Sequence, residues 1–341
     1  MHQDFEIFVI TSNIDFGSKE PLKVLPNSWQ DFENGKAQLM YLSKENANAF
    51  YIKKRIQEIN PDKIFVNGIY SIPFSIAPAF FFPTKTIMHV RGMLHPGALA
   101  QKAFKKKLFL VGIKLLSLSK KITFCVSDTK EKEYTQTIFG ENTKIAIAQN
   151  FPSSFEAIEP INKNTGELKF ISIALISAMK NHALVLEALS LVKSKVIWHI
   201  YGPIKDLSYW GKCTELIAIL PSNITVIYKG EINPTQVYHT LQNYHFFILP
   251  SQSENFGHAL YEAMIAGKPI ITSNNTPWNL LNENNAGYNV ELTPASLATA
   301  IAIAASLNQN DYNEKVLAVS NYAKKAINRE EIKKQYLAIF N

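Results

Sequence analysis

Short runs of β-branched and aromatic residues alternate along this chain with longer segments of helical period. "FEIFVIT", "AQLMYL", "KIFVN", "KTIMHV", "KITFCVS" and "KIAIA" predict strands, and "KENANAFYIKKRIQEI" and "SDTKEKEYTQTIF" predict helices among them. The rhythm pauses at "AQNFPSSFEAIEPINKNTGE", whose Pro, Asn, Ser and Glu content predicts a linker running into a loop. It then resumes with "LKFISIAL", "KVIWHIY", "NITVIYKG", "YHFFILP" and "KPIITS". Strands separated by helices build parallel sheets. The expected fold class is therefore α/β, with two doubly wound Rossmann-like domains over residues 1–155 and 156–320. Residues 321–341 are expected to form a C-terminal helix that packs back on the first domain. Sheets of this kind bind ligands beyond the carboxyl ends of their strands.

Composition agrees with two cores, since 341 residues with 47% hydrophobic content exceed what one doubly wound sheet needs. Cys125 and Cys213 stand far apart without metal-ligand spacing, so they predict buried apolar positions in a reducing cytosol. The opening "MHQDFEIFVIT" carries acids where a signal peptide needs a basic start and an apolar run. "IYSIPFSIAPAFFFP" and "LFLVGIKLLSLS" are too short and too interrupted to span a bilayer. A cytoplasmic protein follows as the expectation.

Charge changes the picture once it is divided. Residues 1–150 hold 20 Lys and Arg against 13 Asp and Glu, a net of +7, whereas residues 151–341 hold 15 of each. Much of the excess lies in "QKAFKKKLFLVGIKLLSLSKK", where Lys102, Lys105, Lys106 and Lys107 border apolar residues at helical spacing. Such a helix suits an anionic membrane surface, which would make the protein peripheral on the inner face of the membrane. A solvated basic face over an apolar stripe is the equally open alternative. Nucleic acid is not expected as a partner, because no aromatic platform or reading motif accompanies the lysines.

The stretch "SQSENFGHALYEAMIAGKPIITS" carries the candidate chemistry. "YHFFILP" predicts a buried strand, "SQSEN" its exit loop and "GHALYEAMIAG" a helix of about three turns closed by Gly267. Glu254 then lies at the sheet edge and Glu262 in the early part of the helix. Gly257 at the helix start lets a ligand approach the backbone, and the first-turn N–H groups there favour a phosphate. Carboxylates beside such a site suit sugar hydroxyls better than phosphate. On spacing alone, two exposed acids on an ordinary helix remain an open reading.

With Glu254 and Glu262 in an E-x(7)-E spacing around Asn255, Phe256 and Gly257, then "AGKPIITS" and "TPW", the chain resembles the retaining glycosyltransferases of family 4, which have the GT-B architecture. "YGPIKDLSYW", "HVRGMLHPGALAQKAFKKK" and "IAQNFP" extend the resemblance over most of the chain. It implies transfer of a sugar, with retention, from a nucleotide diphosphate sugar to a glycan or lipid-linked acceptor, in bacterial surface polysaccharide synthesis. Glu262 would hold the ribose, Glu254 the transferred sugar, and the backbone from Asn255 to His258 the diphosphate and sugar. Lys180 matches a lysine that neutralises the leaving diphosphate, Gly202 lies in the family's glycine-containing turn, and His89 matches a cleft histidine. A histidine satisfied at a strand end is the other reading of His89. No D-x-D pair occurs, so no metal or other cofactor is expected.

Two departures accompany the resemblance. Leu175 stands where relatives usually place an arginine, and Arg91 is the candidate to replace that charge. Relatives also open with a strand, a glycine-rich loop and a helix before the segment resembling "FEIFVITSNIDFG", so the first domain is expected to be incomplete. The alternative functions are a non-catalytic GT-B relative that binds nucleotide sugar or a partner enzyme, and an isomerase of the same architecture.

Overall fold

Parallel strands flanked by helices dominate the computed structural model, which describes residues 5–15, 20–32, 34–100, 103–151 and 159–341. The chain forms two compact units, Met1–Phe151 with Arg329–Asn341, and Pro152–Asn328.

In the second unit the strands are β8 (Glu167–Ile173), β9 (Lys195–Tyr201), β10 (Ile224–Tyr228), β11 (Phe246–Leu249), β12 (Ile270–Ser273) and β13 (Gly287–Val290). The helices are α7 (His182–Leu189), α8 (Leu207–Ala218), α9 (Pro234–Leu241), α10 (His258–Ile265), α11 (Pro294–Ser306) and α12 (Gln309–Ala326). The six strands form one parallel sheet in the order β10-β9-β8-β11-β12-β13. Both faces are covered, which is why β11 is apolar throughout and β12 is buried along its whole length rather than alternating. Phe170, Val196, Trp198 and Ile200 point into a core with α7 and α11. Ile171, Phe247 and Leu249 point the other way, onto α9 and α10. From β8 the chain steps outward to β9 and β10, then crosses to β11 on the other side of β8. The topological switch point therefore lies between β8 and β11.

The first unit has β1 (Phe8–Ser12), β2 (Trp29–Phe32), β3 (Ala37–Leu42), β4 (Ile64–Asn67), β5 (Thr86–His89), β6 (Thr123–Val126) and β7 (Ile145–Ile147). Its helices are α1 (Ala49–Ile59), α2 (Ala77–Phe81), α3 (Pro96–Ala100), α4 (Ala103–Leu115), α5 (Leu118–Lys121), α6 (Thr129–Phe139) and, from the end of the chain, α13 (Arg329–Phe340). Asn48 and Asp128 start α1 and α6 by accepting from the amides of Tyr51 and Glu131. Instead of one doubly wound sheet the strands form two. β4-β5-β6-β7 is wholly parallel, and β1-β3-β2 is mixed because β2 returns antiparallel to β3.

The expected terminal helix over 321–341 is in fact two elements. α12 continues to Ala326 in the second unit, and α13 begins at Arg329 and belongs to the first. α13 buries Ile332 and Tyr336, and its Phe340 ring lies 5.4 Å from Phe5 and 5.6 Å from Phe65. The anticipated linker over 148–167 falls partly outside the described residues.

Candidate active site

Three loops leave the carboxyl ends of adjacent strands β9, β8 and β11. After β8 the chain passes Leu175, which is 41% exposed, and makes a single 3₁₀ turn, Ala178–Lys180. Asn181, in the left-handed conformation, ends that turn, and its side-chain amide donates to the Pro250 carbonyl at 3.1 Å. The Gln252 amide donates to the Met179 carbonyl at 2.8 Å. These bonds tie the exit of β8 to the exit of β11 across the switch point. There the Lys180 ammonium meets Glu254 at 2.5 Å, with side-chain exposures of only 21% and 12%. Ser251, wholly buried, donates its hydroxyl to the same Glu254 oxygen at 2.6 Å, and Ser273 holds the Ser251 carbonyl at 2.5 Å.

Sequence reasoning gave these two serines no role. The S-x-x-E spacing of Ser251 and Glu254, which places a hydroxyl within reach of a carboxylate three residues on, is the signal that could have found the first.

α10 begins at the same crevice. Gly257 is its N-cap with φ of 75° and supplies no side-chain cap, so the first turn depends on backbone groups. A Cβ at Gly257 would stand 3.0 Å from Leu260 Cδ1 and 3.3 Å from Trp278 Nε1, in a backbone conformation that already favours glycine. Trp278 fixes the loop by donating its indole N–H to the Phe256 carbonyl at 2.6 Å, and the Phe256 ring packs on Trp278 and His258. α10 has eight residues, a little over two turns rather than three, because Ala266 and Gly267 already form its C-terminal cap. Glu262 is half-buried in this helix, four residues after His258 and so on the same side. Asn255, by contrast, lies in the loop.

Gly202, at the end of β9, approaches the β8 exit so closely that a Cβ would meet the Ala174 carbonyl oxygen at 1.9 Å. Its own N–H donates to Gly230, and its carbonyl accepts from the Tyr228 hydroxyl at 2.8 Å. Gly202 is thus the point where the exits of β8, β9 and β10 come together.

His89 and Arg91 lie in the first unit, at the end of β5. His89 is completely buried against Phe65, and neither ring nitrogen has a hydrogen-bond partner among the described residues. It is therefore not the satisfied strand-end histidine that one reading expected. Burial, with the nearby Arg91 charge, pushes its pKa down to about 4, so the ring is neutral at pH 7. Arg91 donates to Asn67 Oδ1 at 3.0 and 3.2 Å and to Asn150 Oδ1 at 2.8 Å. The buried Glu131 carboxylate holds the same region by accepting from the Gly92 amide and from the amide and hydroxyl of Ser127.

Of the four lysines assigned to a membrane surface, Lys105 and Lys107 are exposed on α4, whereas Lys102 lies outside the described residues. Lys106 turns inward to the Ala98 carbonyl and the Tyr70 ring, because its stem reaches protein before solvent. Cys125 and Cys213 are both free and buried, and burial pushes their thiols up to about 12 and about 11. Among the described residues no group of three or more His, Cys, Asp or Glu is placed to hold a metal ion. No helix among them is long and apolar enough to cross a membrane.

The profile of the family described as "Glycosyl transferases group 1" matches residues 153–326, the whole segment that builds this crevice. The chain belongs to the group 1 glycosyltransferases. No curated protein matches it by sequence. Solved structures share its GT-B fold at low identity. A glycosyltransferase from Rickettsia africae superposes with a TM-score of 0.62 at 16% identity, covering 90% of this chain and 85% of its own. Anabaena HepE, in complex with UDP and glucose, gives 0.66 at 13%, with coverages of 90% and 86%. WaaG, involved in lipopolysaccharide biosynthesis, gives 0.65 at 13%, covering 98% and 100%. At these identities the likeness establishes the architecture of this group 1 glycosyltransferase, α/β with two Rossmann-like domains.

Proposed function

We propose that this glycosyltransferase moves a sugar, with retention, from a nucleotide diphosphate sugar to a glycan or lipid-linked acceptor during assembly of a bacterial surface polysaccharide. The observation that carries the reading is the convergence of Lys180, Glu254 and the uncapped start of α10 at the switch point of the second sheet. An ammonium and a helix amino terminus together favour a diphosphate. A carboxylate held by Ser251 and Lys180 is an acceptor suited to sugar hydroxyls. HepE, bound to UDP and glucose, and WaaG, from lipopolysaccharide synthesis, support the same substrate classes.

In this reading Glu262 takes the ribose and Glu254 the transferred sugar. The segment from Asn255 to His258 and the Gly202 turn surround the diphosphate, and Lys180 stabilises it as negative charge develops on departure. No metal is needed, because these groups supply the neutralisation. His89 and Arg91 belong to the acceptor-side domain in this reading. Neither glutamate acts as nucleophile. The acceptor hydroxyl attacks from the face the diphosphate leaves, and the diphosphate takes the proton.

The exposed side of α4 supports a location on the inner face of an anionic membrane, beside a lipid-linked acceptor. The deciding test supplies nucleotide sugars and a lipid-linked glycan acceptor and measures nucleoside diphosphate release and the anomeric configuration of the product. Transfer with retention, strongly reduced by Lys180→Ala with little change in KM, is expected. Binding of nucleotide sugar without turnover on any acceptor would instead favour a non-catalytic relative.

A further inference from the structure

The face of the second sheet that packs on α9 carries a feature the proposed reaction does not use. Val237, Leu241, Phe247 and Tyr244 belong to an apolar core on this face, with Tyr201 and Ile232 packed at its margin. Beyond it opens a groove of about 630 Å³ with a different lining. Lys169 of β8, His199 and Tyr201 of β9 and Lys229 just after β10 share this face by strand alternation, because Lys169 pairs with Ile197 and Ile227 with His199.

The floor is organised. Tyr244 is buried, yet its hydroxyl contacts His199 Nδ1 at 2.6 Å and the Tyr201 hydroxyl at 3.5 Å. The Lys169 ammonium lies 5.0 Å above the Tyr244 ring. Among the described residues no carboxylate pairs with Lys169 or Lys229 within 4.0 Å, and Glu231 is the only acid lining the groove. Burial, reinforced by Lys229 and Lys169, lowers the pKa of His199 and so favours its neutral ring.

Two unneutralised ammonium groups, an imidazole and a tyrosine hydroxyl therefore surround one space, with the hydroxyl and amide side chains of α9 along its wall. Three oxygens of a phosphate dianion match these donors better than the two of a carboxylate. We propose that this groove is a second anion site, separate from the Lys180–Glu254 crevice, that binds the phosphate group of a small molecule, either free phosphate or a phosphorylated sugar.

The test follows the histidine ring resonances of the full chain, with His199 assigned through His199→Gln. It titrates inorganic phosphate, a hexose 6-phosphate and the unphosphorylated hexose. His199 should shift saturably with both phosphates and not with the neutral hexose. Tighter binding of the hexose phosphate assigns a phosphorylated sugar, and equal binding assigns free phosphate. Lys169→Gln with Lys229→Gln should weaken binding about tenfold or more, since two charge-assisted contacts are lost. The corresponding Arg pair should restore it, and Lys180→Gln should leave it unchanged. The proposal fails if His199 ignores both phosphates, if the Gln pair binds as the parent does while its other histidine signals are unmoved, or if Lys180→Gln abolishes the response.

Discussion

The Lys180–Glu254 pair gives the two glutamates different consequences on removal. Glu254 neutralises a largely enclosed ammonium, so Glu254→Ala leaves Lys180 without its partner and available to a diphosphate. The bare nucleoside diphosphate should then bind no more weakly than to the parent, while sugar transfer falls sharply. Glu262→Ala should weaken the same nucleotide by about 1.5–3 kcal/mol, the worth of charge-assisted hydrogen bonds to the ribose. Calorimetry with uridine diphosphate reads both, and equal, parent-like affinity in the two variants would refute the division. Histidines supply a second prediction at this scale. His89, His182 and His245 are all held down to about 4, chiefly by burial, against about 6.5 in an unfolded chain. The unfolded state takes up their protons first, so their contribution to stability is complete above pH 6.5 and is lost as pH falls toward 4. Thermal midpoints should decline across that window. His182→Phe, which keeps a ring stacked on Trp198, should decline less steeply. Parallel curves for parent and variant would show that His182 contributes nothing to the slope.

Among the elements, α4 carries apolar residues on its exposed side as well as on its buried one. Leu110 and Ile113 are buried, but Phe104, Leu108 and Leu115 are 81%, 65% and 80% exposed, one below another at helical spacing. Lys105, Lys107 and Lys114 stand exposed beside them. An apolar strip flanked by cations gains from the lipid interface twice, by burial of the apolar side chains and by about 1 kcal/mol for each lysine near an anionic surface. The protein should sediment with anionic vesicles at low salt and less at high salt. Lys105→Gln with Lys107→Gln should reduce the salt-sensitive part, and Phe104→Ser with Leu108→Ser the remainder. Vesicle binding that survives all four changes would place the contact elsewhere.

For the molecule as a whole, the first unit is assembled from both ends of the chain. α13 returns after the second unit is complete and lays Ile332, Tyr336 and Phe340 against the first, with Phe65 in contact with both rings. Tyr336→Ala should therefore cost about 3–5 kcal/mol, as for other large buried aromatics. Hydrogen exchange gives the readout. Amides of β4, β5 and β6 should lose protection while those of β8, β9 and β11 keep theirs. Loss spread evenly over both units would mean that α13 stabilises more than the unit in which it is packed.

The sequence by itself determined the parallel-sheet rhythm, because strands covered on both faces are largely apolar, as "FFIL" of β11 is, and β9 carries its buried residues at alternate positions of a mostly apolar run. It also determined the loop and helix around Glu254, since the glycines at 257 and 267 mark the helix ends wherever the segment lies. It did not determine β2 or β13. "WQDF" and "GYNV" are four-residue edge strands whose pairing comes from their neighbours rather than from their own pattern. The division of the first unit into two sheets, the inward turn of Lys106 and the burial of His89 were likewise settled by packing. So was the central contact of the site. Lys180 and Glu254 are 74 residues apart and meet only because β8 and β11, distant in sequence, are neighbours in the sheet. Local periodicity records which residues seek burial. Only the assembled sheet decides which loop ends share a crevice.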